Sequence, residues 1–223
     1  MLDIVTSDTE PSLRRVVPMP PRTGWVMTQI RDAILEGRLT AGQPLVEADL
    51  AQTFGVSKTP VREALKTLTG QGLVRLGDFK GATVSAVDAR LVRDVSGVRL
   101  LLEPSAVGAA VRRGADLGSA HDALRQARAA ETDSARSVWN REFHRALYES
   151  CGNDLLVEIL DGLRERATLI AVTLWKSILS WDMEAEEHEA IYEAASSGAA
   201  DEAERLTTEH IQKFADKCFA ELA

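Results

Sequence analysis

The sequence predicts a mainly α protein in two parts: a small helix–helix–turn–helix–hairpin unit, then an antiparallel all-α helical bundle. Three observations carry this prediction. From Trp25 onward apolar residues recur every three to four positions, the spacing that lines one face of a helix. Strand-type runs are confined to two short segments, 73–76 and 82–86, joined by Gly77-Asp78-Phe79-Lys80-Gly81, which reads as a hairpin link. The charge balance changes near residue 87. Residues 23–86 hold seven Lys/Arg against six Asp/Glu, whereas 87–223 hold sixteen against twenty-five, with all four histidines. The expected division is an arm at 1–22, a first unit at 23–87 and a bundle at 88–223.

Residues 1–22 contain Pro11, Pro18, Pro20 and Pro21 and no sustained apolar period, so a mobile arm is expected. Val26, Ile30, Ala33 and Ile34 share one face of a first helix, which Gly37 ends, and Gly42 and Pro44 mark a turn. Glu47 to Phe54 reads as a short second helix with Leu50, Ala51 and Phe54 inward, and Gly55 suits the left-handed position after it. A third helix follows at once. Ser57 or Thr59 can cap it, and Pro60 falls in the first turn, where its missing N–H costs little. Val61, Ala64, Leu65 and Leu68 form its buried stripe, while Lys58, Thr59, Arg62 and Lys66 lie at its start or on its polar side. Beyond the hairpin, helices are predicted at 89–113, 116–131, 134–150, 153–180, 182–197 and 200–220. Their short links make neighbours antiparallel.

Composition excludes several classes. With 27% charged and 45% hydrophobic residues, the chain reads as globular rather than disordered. No apolar run approaches the roughly 20 residues that span a bilayer, so no membrane association is expected. The start lacks the basic-then-apolar order of a secretory signal. Cys151 and Cys218 lie far apart with no CxxC, which excludes a disulfide framework and a zinc finger. Small buried thiols in a reduced, cytoplasmic protein are expected. The net charge of −8 and the near-neutral first unit lack the basic footprint usual for nucleic-acid binders, so any case for DNA rests on pattern.

That pattern is the order of a winged helix-turn-helix. The third helix fits a major groove about 12 Å wide. Its first turn aims N–H groups and the side chains of Lys58, Thr59 and Arg62 at phosphates and base edges. Lys80 on the hairpin can reach an adjacent groove, and Gly81 permits close approach of the backbone. A three-helix domain used for protein contacts has the same pattern. The residues themselves go further. AILEGRL, AGQPL, LAQTFGVSKTPVREAL, GLV and the hairpin's Lys80-Gly81 closely resemble the DNA-binding domain of the GntR family of bacterial transcription regulators. The resemblance implies a double-stranded DNA operator as partner, with contacts from Ser57, Lys58, Thr59, Arg62, Lys80 and Gly81. Lys58 stands where this family often has arginine, giving a point charge instead of a bidentate fork. Ala48 stands where a DNA-touching arginine can occur, so no contact is carried over there.

In the bundle, Asn140 and His144 are four apart and share a helix face, with Trp139, Phe143 and Leu147 for apolar packing. His188 and His210 belong to the last two helices, near Ile191 and Ile211. Three imidazoles from three helices can meet at one point, and imidazole with an amide oxygen suits Zn, Ni or Mn. Scattered structural histidines give the same pattern. The stretches VRLLLEPSAV (98–107) and NREFHRAL (140–147), with His188 and His210, resemble the FCD domain of the FadR subfamily. This implies a divalent metal ion (Zn, Ni or Mn) held by Asn140, His144, His188 and His210 inside an effector pocket. It also implies that Arg99 points into that pocket and pairs with a small carboxylate effector. The other reading of Arg99 is an ion pair with Glu103 at i+4. Asn140 departs from the commoner aspartate, and the neutral amide would leave the site at +2 instead of +1. His121 is expected at the surface, Glu184, Glu186, Glu187 and Glu189 on a solvated face, and Trp175 and Trp181 in bundle or dimer packing.

The resulting expectation is a metabolite-responsive DNA-binding transcription regulator, a repressor acting as a homodimer on a pseudo-palindromic operator. A purely structural metal is the alternative. A metal hydrolase with an accessory winged helix is a third reading, but there is no HExxH, no P-loop and no obvious general base beside the histidines, so an enzyme is not expected.

Overall fold

A computed structural model describes residues 22–77, 81–178 and 181–223. The expected arm up to residue 21, Lys80 at the hairpin tip and the side chains of Trp175 and Trp181 lie outside the described residues.

The N-terminal unit comprises α1 (Arg22–Leu35), β1 (Pro44–Leu45), α2 (Glu47–Phe54), α3 (Lys58–Gly70), β2 (Val74–Gly77) and β3 (Gly81–Val84). Gly55 takes the left-handed conformation at φ 62°, which lets the chain leave α2 and enter α3 within three residues. Ser57 occupies the extended N-cap position of α3, although its side chain makes no cap hydrogen bond. The strands form an antiparallel sheet in the order β1-β3-β2, with Gly77 opposite Gly81 closing the hairpin. The turn expected around Pro44 contains β1, with Pro44 opposite Thr83 and Leu45 opposite Ala82. A two-residue edge strand opening on proline leaves no alternation to read. Val26, Ile30, Ile34, Val61, Leu65 and Leu68 meet Leu73 and Val84 in the core of this unit.

The bundle comprises α4 (Ala89–Arg112), α5 (Gly118–Ala129), α6 (Asp133–Tyr148), α7 (Asp154–Ile178), α8 (Trp181–Ser196) and α9 (Ala200–Glu221). Asp88 caps α4 by accepting from the Leu91 N–H at 2.8 Å. Long helices α4 and α9 pack closely at Gly108, where a Cβ would overlap the Glu204 carboxylate. Arg112 then ties α4 to Asp201 and Glu204 at 2.7 and 2.8 Å.

The two parts meet along α7. Leu169 is buried in the N-terminal core. Arg166 Nε donates to the Gln71 carbonyl just past the end of α3 (2.9 Å). Glu165 lies 3.8 Å from Arg31 of α1. The same helix therefore packs against the N-terminal unit and lines the polar interior of the bundle.

Candidate metal centre and nucleic-acid interface

His144 of α6, His188 of α8 and His210 of α9 are all buried, and one nitrogen from each lies within 4.8 Å of the others. Their rings stand 4.7 to 5.1 Å apart between centroids. The sequence places them there through the helical stripe. Phe143, Leu147, Ile191 and Ile211 are fully buried neighbours on the same helices and seat the three faces around one point.

Carboxylates set the orientation of two of the rings. His144 Nδ1 bonds Glu103 Oε1 at 3.1 Å, and His210 Nδ1 bonds Glu187 Oε2 at 2.8 Å. A neutral imidazole that donates from Nδ1 presents its Nε2 lone pair on the opposite side, the arrangement that carboxylates impose on metal-binding histidines. Burial, with the Arg164 charge, pushes His144 well below the usual histidine range, and burial with the neighbouring imidazoles does the same to His188. His188 Nε2 and His210 Nε2 face each other at 3.4 Å. Two ligands ~2.05 Å from one ion at a tetrahedral angle lie ~3.3 Å apart, so this spacing fits a shared cation.

Glu103 is the charge hub. Arg99 donates to both its oxygens at 2.7 and 3.2 Å, and Arg164 of α7 binds the oxygen that also meets His144. Burial alone would raise the Glu103 pKa, but Arg164, Arg99 and His144 together hold it well below the carboxylate range. Burial and Arg99 draw the Arg164 pKa down to about 10, which leaves it charged at neutral pH. Arg99 is therefore in the i+4 ion pair with Glu103 while also lining the cavity beside the histidines.

The expected solvated glutamate face is corrected by the structure. Glu184 is buried, and its Oε1 accepts from Asn140 Nδ2 at 2.9 Å and lies 3.9 Å from His188 Nε2. Its other oxygen is buried with no hydrogen-bond partner among the described residues. Burial raises the Glu184 pKa, against the lowering effects of His210 and the Asn140 hydrogen bond. Glu187 is half-buried on His210, and Glu186 is exposed. Carboxylates therefore do stand beside the histidines. The missed signal is spacing: Glu184, His188 and Ile191 are at i, i+4 and i+7, one helical face.

Asn140, His144, His210, Glu184, Arg99 and Arg164 line an inner cavity of about 20 Å³. A void needs ~10–15 Å³ on this scale to hold one water, so this one suits a single small body and not an organic acid. A second pocket of about 440 Å³ is lined by Asn140 and His188, with Arg128 and Arg136.

On the N-terminal unit, Ser57, Lys58, Thr59 and Arg62 are all exposed at the start of α3, and Gly81 is exposed with φ at 71°. Arg62 makes a two-point bond to Glu47 of α2, at 3.0 and 2.8 Å. Lys80 lies outside the described residues. His121 is at the surface, stacked on Tyr192, and both cysteines are buried.

Residues 23–84 match the family described as bacterial regulatory proteins, gntR family, and residues 94–213, more than half the chain, match the FCD domain. The chain belongs to the gntR family and carries an FCD domain. As a gntR-family protein it is a DNA-binding transcriptional regulator, not an enzyme. The Nta operon transcriptional regulator of Aminobacter aminovorans is 29% identical over 79% of this chain and 84% of its own length. The galactonate operon transcriptional repressor of Escherichia coli is 24% identical over 82% of this chain and 91% of its own. A GntR transcriptional regulator from Rhodococcus sp. RHA1 shares the fold at a TM-score of 0.82 and 23% identity, covering 89% of this chain and 98% of that one. No described helix of this gntR-family protein is long and apolar enough to cross a membrane.

Proposed function

We propose that the protein is a metabolite-responsive repressor, acting as a homodimer, whose bundle holds a divalent metal ion and binds a small organic acid. The observation that carries this reading is the cluster of three buried imidazoles, of which His144 and His210 line a cavity of about 20 Å³ and are oriented by carboxylates at Nδ1. His144, His188 and His210 would hold the ion, with Asn140 at the edge of the set. When bound, such an ion supplies a Lewis-acid contact for a carboxylate. The outer pocket of about 440 Å³ has the volume of a small-ligand site, typically ~300–1,000 Å³, and shares Asn140 with the inner cavity. Arg99 lines the inner cavity but is committed to Glu103, so its part is to hold that carboxylate and, through it, His144.

Operator contacts are assigned to Ser57, Lys58, Thr59, Arg62, Lys80 and Gly81. Exposed Val98 and Leu101, three apart on α4, offer a self-complementary stripe to a second copy. Coupling between pocket and DNA runs along α7. Arg164 lines the inner cavity, and Arg166, two residues on, bonds the Gln71 carbonyl beyond α3. This is a coupling free energy of typically ~1–3 kcal/mol. The test is operator binding in the presence of metal and a series of chelating hydroxycarboxylates. Release of DNA by a member of the series supports the reading. Metal-loaded protein whose operator affinity no small acid changes would leave the metal purely structural.

A further inference from the structure

We propose that Glu184 is the carboxylate ligand of the bundle's metal site, and that Asn140 is a positioning residue that holds Glu184 in place. This rests on the metal-binding reading above and assigns it a ligand that the residues at 140, 144, 188 and 210 do not include.

The hydrogen bond between the two side chains is the first ground. Asn140 turns its amide N–H toward Glu184 Oε1 at 2.9 Å, and an N–H has no lone pair to give an ion on that side. The second ground is the orphaned oxygen. Glu184 Oε2 is buried and accepts no hydrogen bond among the described residues, while Glu184 lines the same cavity as His144 and His210. Buried polar atoms are nearly always satisfied, and an unsatisfied one in a polar cavity marks a missing partner. The third ground is charge. Among the described residues no Lys or Arg forms an ion pair with Glu184, and Arg99 and Arg164 both bind Glu103. A buried carboxylate with no Lys or Arg in ion-pair contact is costly, and a bound cation offsets that cost. Finally, Glu184 and His188 repeat on α8 the i, i+4 spacing of Asn140 and His144 on α6, so the oxygen donor has moved to the facing helix. Three imidazoles and one carboxylate around a divalent ion give a net charge of +1, not the +2 that an amide at 140 implies.

The experiment uses full-length protein, stripped with a chelator and titrated with Zn²⁺ against a chromophoric competitor. Its Co²⁺ absorption spectrum is recorded in parallel. H144A tests the underlying site and is expected to lose Zn²⁺ uptake. With that loss in hand, E184Q is expected to lower Zn²⁺ affinity by more than the roughly 10–100-fold that removing an orienting group costs, and to change the Co²⁺ spectrum. N140A is expected to stay within that roughly 10–100-fold range and to keep the wild-type Co²⁺ spectrum. The double variant N140D/E184Q, which returns a carboxylate to α6, is expected to recover binding. If E184Q fails to fold, E184D decides: drawing the ligand back by one methylene should weaken Zn²⁺ and shift the Co²⁺ spectrum. Wild-type affinity and spectrum in E184Q or E184D, with binding lost in H144A, would overturn the role of Glu184 and leave the metal site standing. Wild-type protein that takes up no Zn²⁺ would overturn both.

Discussion

Arg62 at the start of α3 and Arg99 inside the bundle each grip a glutamate by two points, but the two pairs sit in opposite environments. Arg62 holds Glu47 at the exposed surface, with distances of 3.0 and 2.8 Å. Arg99 holds Glu103 at 2.7 and 3.2 Å where both side chains are almost wholly buried. In water the first pair exchanges at little cost, because exposed ion pairs contribute little. Arg62 can therefore leave Glu47 for a phosphate or a guanine edge. The second pair cannot be opened without stranding a buried charge, which costs far more than the pair itself is worth. The same pairing is thus a labile surface pair in one region and a fixed electrostatic frame in the other. The frame includes Arg164 and orients His144.

The largest effect expected from this contrast is on folding. Glu103→Ala should lower unfolding stability by roughly 3–5 kcal/mol, since it leaves Arg99 and Arg164 buried and uncompensated. Chemical denaturation checks this, and a loss under 1 kcal/mol would mean that the frame is hydrated. Next comes Arg62→Ala, which should weaken operator binding by roughly ten- to a hundredfold per half-site while leaving the unfolding midpoint unchanged. Normal operator affinity in that variant would remove Arg62 from the interface. Arg166→Ala tests the link between the regions. It should leave metal binding intact and change the effector's influence on DNA by about 0.5–2 kcal/mol, read from operator affinity with and without the effector. The smallest effect belongs to Glu47→Gln. It should tighten operator binding slightly by freeing Arg62, with no change in stability, and weaker binding would show that Glu47 positions Arg62 for DNA.

Much of the fold was legible because its boundaries have local causes. Glu47–Phe54 is bounded by a left-handed glycine, and the stripe Val61, Ala64, Leu65 and Leu68 is an unbroken helical period. β1 was not legible, since two residues paired across a sheet leave no periodic trace. The three histidines could be placed on inward faces, each beside an aliphatic residue of its own helix. The polar shell around them could not. Four glutamates between 184 and 189 read as a solvated face, yet only the phase of the helix decides which face water, and Glu184 shares the inward phase of His188. Arg164 was hidden in the same way: it follows Leu160 and precedes Ala167 and Ala171 on the buried stripe of α7, where an arginine can lie only if a carboxylate from another helix meets it. Partners distant in sequence, such as Glu103 and Arg164, or Asn140 and Glu184, become visible only once the helices are packed.

The central claim is that the bundle is a metal site, and metal content tests it most directly. Purified protein should carry, or take up, about one Zn, Ni or Mn per chain by mass spectrometry, and His144→Ala should lose it. Wild-type protein that stays metal-free after exposure to all three ions would contradict the account and leave His144, His188 and His210 as a hydrogen-bonded core.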